Sequence, residues 1–443
     1  MLNQYKSMHR KKRMARKKRN YTWLIILGVL LVILVGISFI PSIRERISFK
    51  ITTWRSNIFY YFNPPEDIEF NPTQQEQMNE LVAASMTAMV PTASPTATPT
   101  AAPTHEKSPT PTLTPLPTAT PTPIPAKVRL TGVVHEYQKF NNCGGANLSM
   151  ALSFWGWEGN QTVTGTYLRP NERDRNVMPY EMVDYVQTQT GFGVVLRYGG
   201  DLDMVKRFVA AGFPVLVERG FMVPDKGWMG HYGVITGYDD AKEVVYIPDS
   251  YEGERSLGYA DLLLYWAHFD NIYLVIYPPE REGEVMSILG QQADKSYNLS
   301  YALQTAIDRI ATTKGRENFF AWYMKGNILT QQNDFLGAAQ AYDSAYEIYN
   351  DLPSKPWRIL WYQTGPYYAY YYTARYQDLV TLANQTLSYS FEPAIEETWV
   401  WRGRAKYKLG DTEGAIADFR EALKWHPDWW VAIQELQNLG VTP

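Results

Sequence analysis

Cys143 is the only cysteine in the chain, and it stands in the run FNNCGGANLSMAL, from Phe140 to Leu152. A sulfur nucleophile needs its thiolate favoured over its thiol, and the dipole and free N–H groups of a helix N-terminus supply that. Asn142 is a candidate cap, and Ala146 to Leu152 continue as helix. Gly144 and Gly145 leave the first turn uncrowded for an approaching carbonyl, and the backbone N–H of Cys143 can face an oxyanion. Gln138, just upstream, is the candidate second donor. The rival reading makes Cys143 a small buried hydrophobe without chemistry.

A thiol nucleophile also needs a base. The chain has six histidines. His9 lies in a basic tail, His105 in a Pro/Thr-rich segment and His426 in a helical repeat, which leaves His135, His231 and His268. His231 begins HYGVITGYD, read as a strand starting after the loop DKGWMG, so it can face a cleft. Asp249 ends the next strand, VVYIPDS, and antiparallel pairing would bring it beside His231 as the orienting acceptor. Asp239 and Asp240 fall in the turn between these strands, too far away. His135 reads as a cap or packing residue, and His268 as structural in its Trp/Phe-rich stretch. A single Cys and no closely spaced His pair support no metal site, and no Gly-rich loop followed by Lys-Ser/Thr suggests a nucleotide. No cofactor is expected.

These residues belong to a region spanning 127–285. Helices after Cys143 and over MPYEMVDYVQTQTG, and an amphipathic DLDMVKRFVAAG, precede or flank segments rich in β-branched and aromatic residues. YDDAKEVVYI reads as a hairpin, and the whole as an α+β domain with an antiparallel sheet. The stretches YQKFNNCGGANLSMALSFWGW, LDMVKRFVAAGFPVLVE and GHYGVITGYDDAKEVVYIPDS together resemble family thirty-nine of the cysteine peptidases, which has a papain-like fold and includes the double-glycine leader (bacteriocin-processing) peptidases. The resemblance covers about a third of the chain. It implies Cys143 as nucleophile, His231 as general base, Asp249 as its orienter and Gln138 as oxyanion donor. Gly145 stands where the family often has Pro, and Gln138 is one residue nearer the cysteine than papain-like enzymes usually place it.

From 295 to 443 the composition turns helical, rich in Ala, Tyr and Trp. Gly326 and Ala338 are spaced as Gly403 and Ala415 are, and each Ala precedes an aromatic, Tyr342 or Phe419, by four. This resembles the tetratricopeptide pattern, with a degenerate middle copy around Trp361 and Gly365, and predicts an all-α solenoid. The aromatics of the middle copy read as core rather than as a binding face.

The N-terminus carries nine Lys/Arg between Lys6 and Arg19 in a basic tail (1–21). Trp23 to Ile40 is an uncharged apolar run of 18 residues, about the minimum for a transmembrane helix. Pro41 follows with no A-x-A site, so 22–41 reads as an uncleaved signal anchor. The larger basic cluster stays cytoplasmic, placing the catalytic and repeat regions outside. A juxtamembrane segment (42–90), with a helix expected over Thr73 to Met89, leads to a disordered stalk (91–126) whose residues 91–125 include 11 Pro. Extended, the stalk reaches roughly 100 Å at ~3.1 Å per residue. A net charge of −3 argues against nucleic acid. The expectation is a membrane-anchored extracytoplasmic cysteine peptidase acting on a protein or peptide, with repeats that recruit a protein partner. The alternatives are an inactive peptide-binding surface protein and a same-fold amidase or acyl transferase.

Overall fold

The computed structural model describes residues 27–29, 41–62, 69–70, 124–223 and 227–443. The expected anchor at 22–41 lies outside these residues apart from 27–29 and 41, as does the helix expected from Thr73 to Met89. Among the described residues no helix is long and apolar enough to cross a membrane. The chain divides into two units, Met1–Phe62 and Asn63–Pro443.

In the first unit, helix α1 spans Pro41–Phe62, where the sequence reading assigned no element. Ile47, Ile51, Trp54, Ile58 and Tyr61 recur at helical spacing and are all exposed. Its several Ile and Thr residues lower helix propensity and mask this periodicity.

The second unit opens with an α/β part. Its elements run β1 (Lys127–Arg129), α2 (Cys143–Ser153), α3 (Gln161–Leu168), α4 (Pro179–Gln189), β2 (Gly193–Arg197), α5 (Leu202–Ala210), β3 (Val215–Val223), β4 (Gly227–Ile235), β5 (Gly237–Asp239), β6 (Val244–Asp249), β7 (Gly253–Gly258), α6 (Tyr259–Trp266) and β8 (Tyr273–Tyr277). They build two antiparallel four-stranded sheets, ordered β2-β8-β3-β4 and β1-β5-β6-β7. The expected single sheet is therefore two. The expected strand HYGVITGYD breaks at Thr236, leaving β4 in one sheet and β5 in the other.

Side-chain alternation explains how the first sheet is buried on both faces. Val215, Val217, Tyr273 and Val275 point toward α5, α6 and the second sheet, packing with Phe208, Trp266, Val245 and Ile247. Leu216, Leu274 and Ile276 point the other way, toward Leu148 and Leu152 of α2 and Met182 of α4. Helix α2 thus lies against the sheet with β4 as its neighbour. That packing brings the cysteine and the histidine strand together.

The rest is helical: α7 (Glu282–Leu289), α8 (Lys295–Thr312), α9 (Gly315–Gln331), α10 (Phe335–Asn350), α11 (Ile359–Tyr362), α12 (Gly365–Tyr372), α13 (Tyr376–Ser388), α14 (Glu396–Lys408), α15 (Thr412–Trp425) and α16 (Trp430–Asn438). The pairs α9/α10 and α14/α15 carry the two matching spacings, and α12/α13 stands in the place of the expected middle copy. A Cβ on Gly326 would lie 2.5 Å from the Tyr342 ring, and one on Gly403 would lie 2.6 Å from the Phe419 ring. The spacing read from sequence therefore marks where each helix pair touches. In the middle copy, Gly365 faces the hydroxyl of Tyr342 in the preceding repeat, which accounts for its divergence from the pattern. Tyr367 and Tyr370 are buried, while Tyr368 and Tyr372 remain exposed.

Gly403→Val forces a carbon bearing two methyl groups toward a buried ring, and overpacking of this kind costs about 1–3 kcal/mol. Urea unfolding followed by tryptophan fluorescence should show that loss. Gly283→Ala in α7, with open space around its Cβ, should not lower stability. Equal stability of both variants would contradict the packing account.

Candidate functional site

Cys143 is the first residue of α2. Asn141 enters the turn with φ +54°, a left-handed conformation that Asn tolerates better than most residues. Asn142 occupies the cap position but makes no capping bond. Its Nδ2 donates instead to the backbone oxygen of Gln161 at 3.1 Å, which ties the turn to α3. The expected cap is therefore replaced by a link between helices. The two glycines also act differently from expectation. Both are buried. A Cβ on Gly144 would lie 2.8 Å from Val177, and one on Gly145 would lie 2.6 Å from Asn142 Oδ1. They let α2 pack closely rather than clear a path for substrate.

His231 lies within β4, directly opposite Arg219 of β3, and not at a strand start. The strand begins at Gly227 because β3 and β4 pair out to Val223 and Gly227. Its Nε2 stands 3.0 and 3.2 Å from the two carboxylate oxygens of Asp249. Direct pairing of β4 with β6 is not the route to this contact, since the strands belong to different sheets. The contact forms where the two sheets meet. Asp249 is completely buried and also accepts from Arg219 Nη2 at 3.2 Å and from the N–H groups of Tyr251 and Glu252 at 2.8 and 3.0 Å. Phe221 stacks on the imidazole with ring centres 5.0 Å apart. With Nε2 committed to Asp249, Nδ1 is the nitrogen left for Cys143, to which the ring is hydrogen-bonded.

The electrostatics follow from these contacts. Burial pushes the Cys143 thiol up. The hydrogen bond and charge of His231, the Tyr232 N–H and the Arg169 guanidinium outweigh it and hold the thiol below its ordinary value. The residue keeps partial surface access, but the protein around its sulfur is dense enough for desolvation to be the largest influence. Burial pushes the His231 imidazole down, and its bonds to Asp249 and Cys143 reverse that, leaving it above its ordinary value. Burial would raise Asp249, but His231, the Tyr251 N–H and Arg219 bring it to about 2.

Gln138 reaches the site through Ser250. Its N–H donates to the Ser250 carbonyl at 2.8 Å, and its side-chain oxygen accepts from Ser250 Oγ at 2.9 Å. Ser250 in turn accepts from Asn147, one turn after Cys143. This fixes the amide's oxygen and leaves its NH2 group for other partners. His135 bonds the backbone oxygen of Asp249 through Nε2 at 2.9 Å, a packing role. His268 is buried between Trp228 Nε1 at 3.0 Å and Glu317 at 2.9 Å, with Phe320 stacked on it. Asp239 pairs with Lys127 and Asp240 with Lys206, away from the histidine. Among the described residues no cluster of His, Cys, Asp and Glu could hold a metal ion.

Sequence reasoning missed two neighbours. Arg169 is buried, interacts electrostatically with the sulfur, and donates to the backbone oxygen of Phe140 at 3.2 Å. No motif marks it, because it arrives from the end of α3. Tyr362 comes from α11, in the repeat half of the chain, and interacts electrostatically with Cys143. A Cβ on Gly230, the residue before His231, would lie 3.0 Å from the Tyr362 ring.

Residues 128–278 match the Peptidase_C39 like family, and residues 321–352 and 396–429 match tetratricopeptide repeat models. The chain thus carries a C39-like segment fused to tetratricopeptide repeats. Among solved structures it is similar to a protein described as a C39-like peptidase from Bacillus anthracis (16% identity, 34% of this chain and 96% of that one, TM-score 0.28). It is also similar to a double glycine motif protease from an AMS/PCAT transporter in complex with the leader peptide (18%, 34% and 94%, TM-score 0.26). A third is Xylellain, a cysteine protease from Xylella fastidiosa (16%, 35% and 87%, TM-score 0.27). No curated protein matches the chain.

Alkylation by iodoacetamide reads the thiolate directly. Its rate should rise with pH through a midpoint below about 8.5, the ordinary thiol value. His231→Gln keeps the burial but removes the compensating charge, so the midpoint should move up by more than about one unit. The same midpoint in both proteins would contradict the electrostatic account.

Proposed function

We propose that the protein is a cysteine peptidase in which Cys143 attacks the carbonyl of a peptide bond. The observation that carries this reading is the clamped imidazole, with Asp249 on Nε2 and the thiol hydrogen-bonded to the ring. His231 takes the thiol proton, the sulfur bonds the carbonyl carbon, and the imidazolium returns the proton to the departing amine. Water then attacks the thioester, giving its proton to His231, and the acid leaves as the sulfur is released. Asp249 orients the ring and stabilises its charge. The Cys143 N–H and the Gln138 amide would hold the oxyanion, a role supported by the anchoring of Gln138 through Ser250.

Its setting is part of the same proposal. The basic tail and the apolar run at 22–41 support a single-pass anchor with the catalytic and repeat regions outside the cell. The repeats would recruit a protein substrate or partner.

A second reading, a peptide-binding module without turnover, is favoured by one observation. His231 and Asp249 are nearly inaccessible, at 4% and 0%, and helix α11 packs against β4.

Turnover of a fluorogenic peptide mixture by the full chain separates the two. Cys143→Ala should abolish it. Asp249→Asn should lower kcat by a factor on the order of 10⁴, as loss of an orienting acid does elsewhere. Gln138→Ala should lower it by about 10²–10³. Hydrolysis that survives Cys143→Ala would rule out the thiol mechanism. Fast alkylation with no turnover of any peptide would favour the binding module.

A further inference from the structure

Glu69 and Phe70 precede the Pro/Thr-rich segment in sequence, yet they are packed on the repeats. Phe70 is only 2% exposed. Its N–H donates to Asn350 Oδ1 at 3.0 Å, and its carbonyl accepts from Asn350 Nδ2 at 3.1 Å. One side-chain amide therefore satisfies both backbone groups of one residue, as a neighbouring β-strand would. The Glu69 carbonyl accepts from Gln385 Nε2 at 3.4 Å. The ring meets Tyr346 edge-on at 4.8 Å and Tyr370 at 6.0 Å. Beside it the groove continues as a pocket lined by Tyr349, Trp357, Leu382 and Tyr389.

This combination reads a peptide in a defined way. Asn350 and Gln385 recognise main chain, which any sequence offers in extended form. The aromatic cup recognises a ring. Backbone pairing gives affinity and the pocket gives specificity, as in strand-addition recognition. An incidental surface contact would satisfy neither backbone group and would leave the ring partly wet.

We propose that the groove between α10, α12 and α13 is a peptide-binding site for an extended segment bearing an aromatic residue, and that its occupant is the chain's own Glu69–Phe70. The site is independent of the thiol chemistry.

The test uses full-length protein and a fluorescent peptide, PPEDIEFNPTQ, copied from the residues around Phe70. In the wild type the tethered copy, at an effective concentration near millimolar, should keep the peptide out. Phe70→Ala should empty the groove and bind the peptide by anisotropy at least about tenfold more tightly than the wild type does. On the same variant, a peptide with Ala in place of the Phe should lose at least about tenfold, and so should adding Asn350→Ala. The substituted peptide keeps the test valid even if the double variant folds poorly. The proposal fails if Phe70→Ala binds no better than the wild type, or binds both peptides equally.

Discussion

The Asp249 carboxylate has no exposed surface, and it must stay charged for the imidazole beside it to accept a second proton. An ion taken out of water costs several kcal/mol unless its lone pairs are met by donors and opposite charge. Here four donors meet it: His231 Nε2, Arg219 Nη2 and two backbone N–H groups. They come from three places. Arg219 and His231 face each other across β3 and β4 of one sheet, while Asp249 ends β6 of the other. The two N–H groups belong to the turn that follows it. A rotation of one sheet against the other would break several charged contacts at once. The requirement to keep one buried charge satisfied therefore fixes the sheet-to-sheet geometry and, with it, the direction in which the imidazole points.

Charge balance around the sulfur depends on what is absent as much as on what is present. Glu218 interacts electrostatically with Cys143, and as a carboxylate it would oppose the thiolate; burial pushes its carboxyl well above its ordinary range and so disfavours that charged form. Asp174 interacts electrostatically with Arg169, and burial, with Glu396 nearby, pushes its carboxyl well above its ordinary range too. Against burial, the His231 imidazole, the Tyr232 N–H and the Arg169 guanidinium hold the sulfur's thiol down. The same burial that penalises a thiolate by desolvation thus also disfavours the charged forms of Glu218 and Asp174.

Local chemistry was legible in the sequence; the routes by which distant residues meet were not. Cys143, His231 and Asp249 could be singled out because each is marked by its surroundings: a Gly-Gly helix start, a strand after a loop, and an acid at a strand end. The contact between them does not run through the strand pairing that the sequence suggested, because Thr236 passes the chain from one sheet to the other, and no local pattern encodes that crossing. The glycines beside Cys143 were visible, but their role depends on Val177 and Gly165, which only packing brings near. Gly326 and Gly403 could be picked out by spacing because the ring each helix packs on lies at a fixed distance along the same repeat. Arg169 and Tyr362 had no such signature, since each reaches the sulfur from another element through tertiary structure alone.

The repeats are bound to the α/β part by contacts that surround the site. Arg175 passes its backbone N–H to Ala394 and stacks its guanidinium over Trp361, while Asn141, two residues before the cysteine, donates to the backbone oxygen of Asp174. Arg358 donates to the backbone oxygen of Trp228, and Gln363 to that of His268. The His268 ring joins Trp228 to Glu317 of α9. These are short, buried and directional bonds, which hold two bodies in one arrangement rather than tether them loosely. Gly230 shows what that arrangement means for β4. Any side chain there would meet Phe269 at 2.7 Å and Tyr362 at 3.0 Å, and the next residue is His231. The strand that presents the imidazole is therefore seated directly on the repeat half of the chain. A displacement of α11 would leave the backbone of β4 without this packing partner, so the position of the repeats is one of the determinants of the geometry at Cys143.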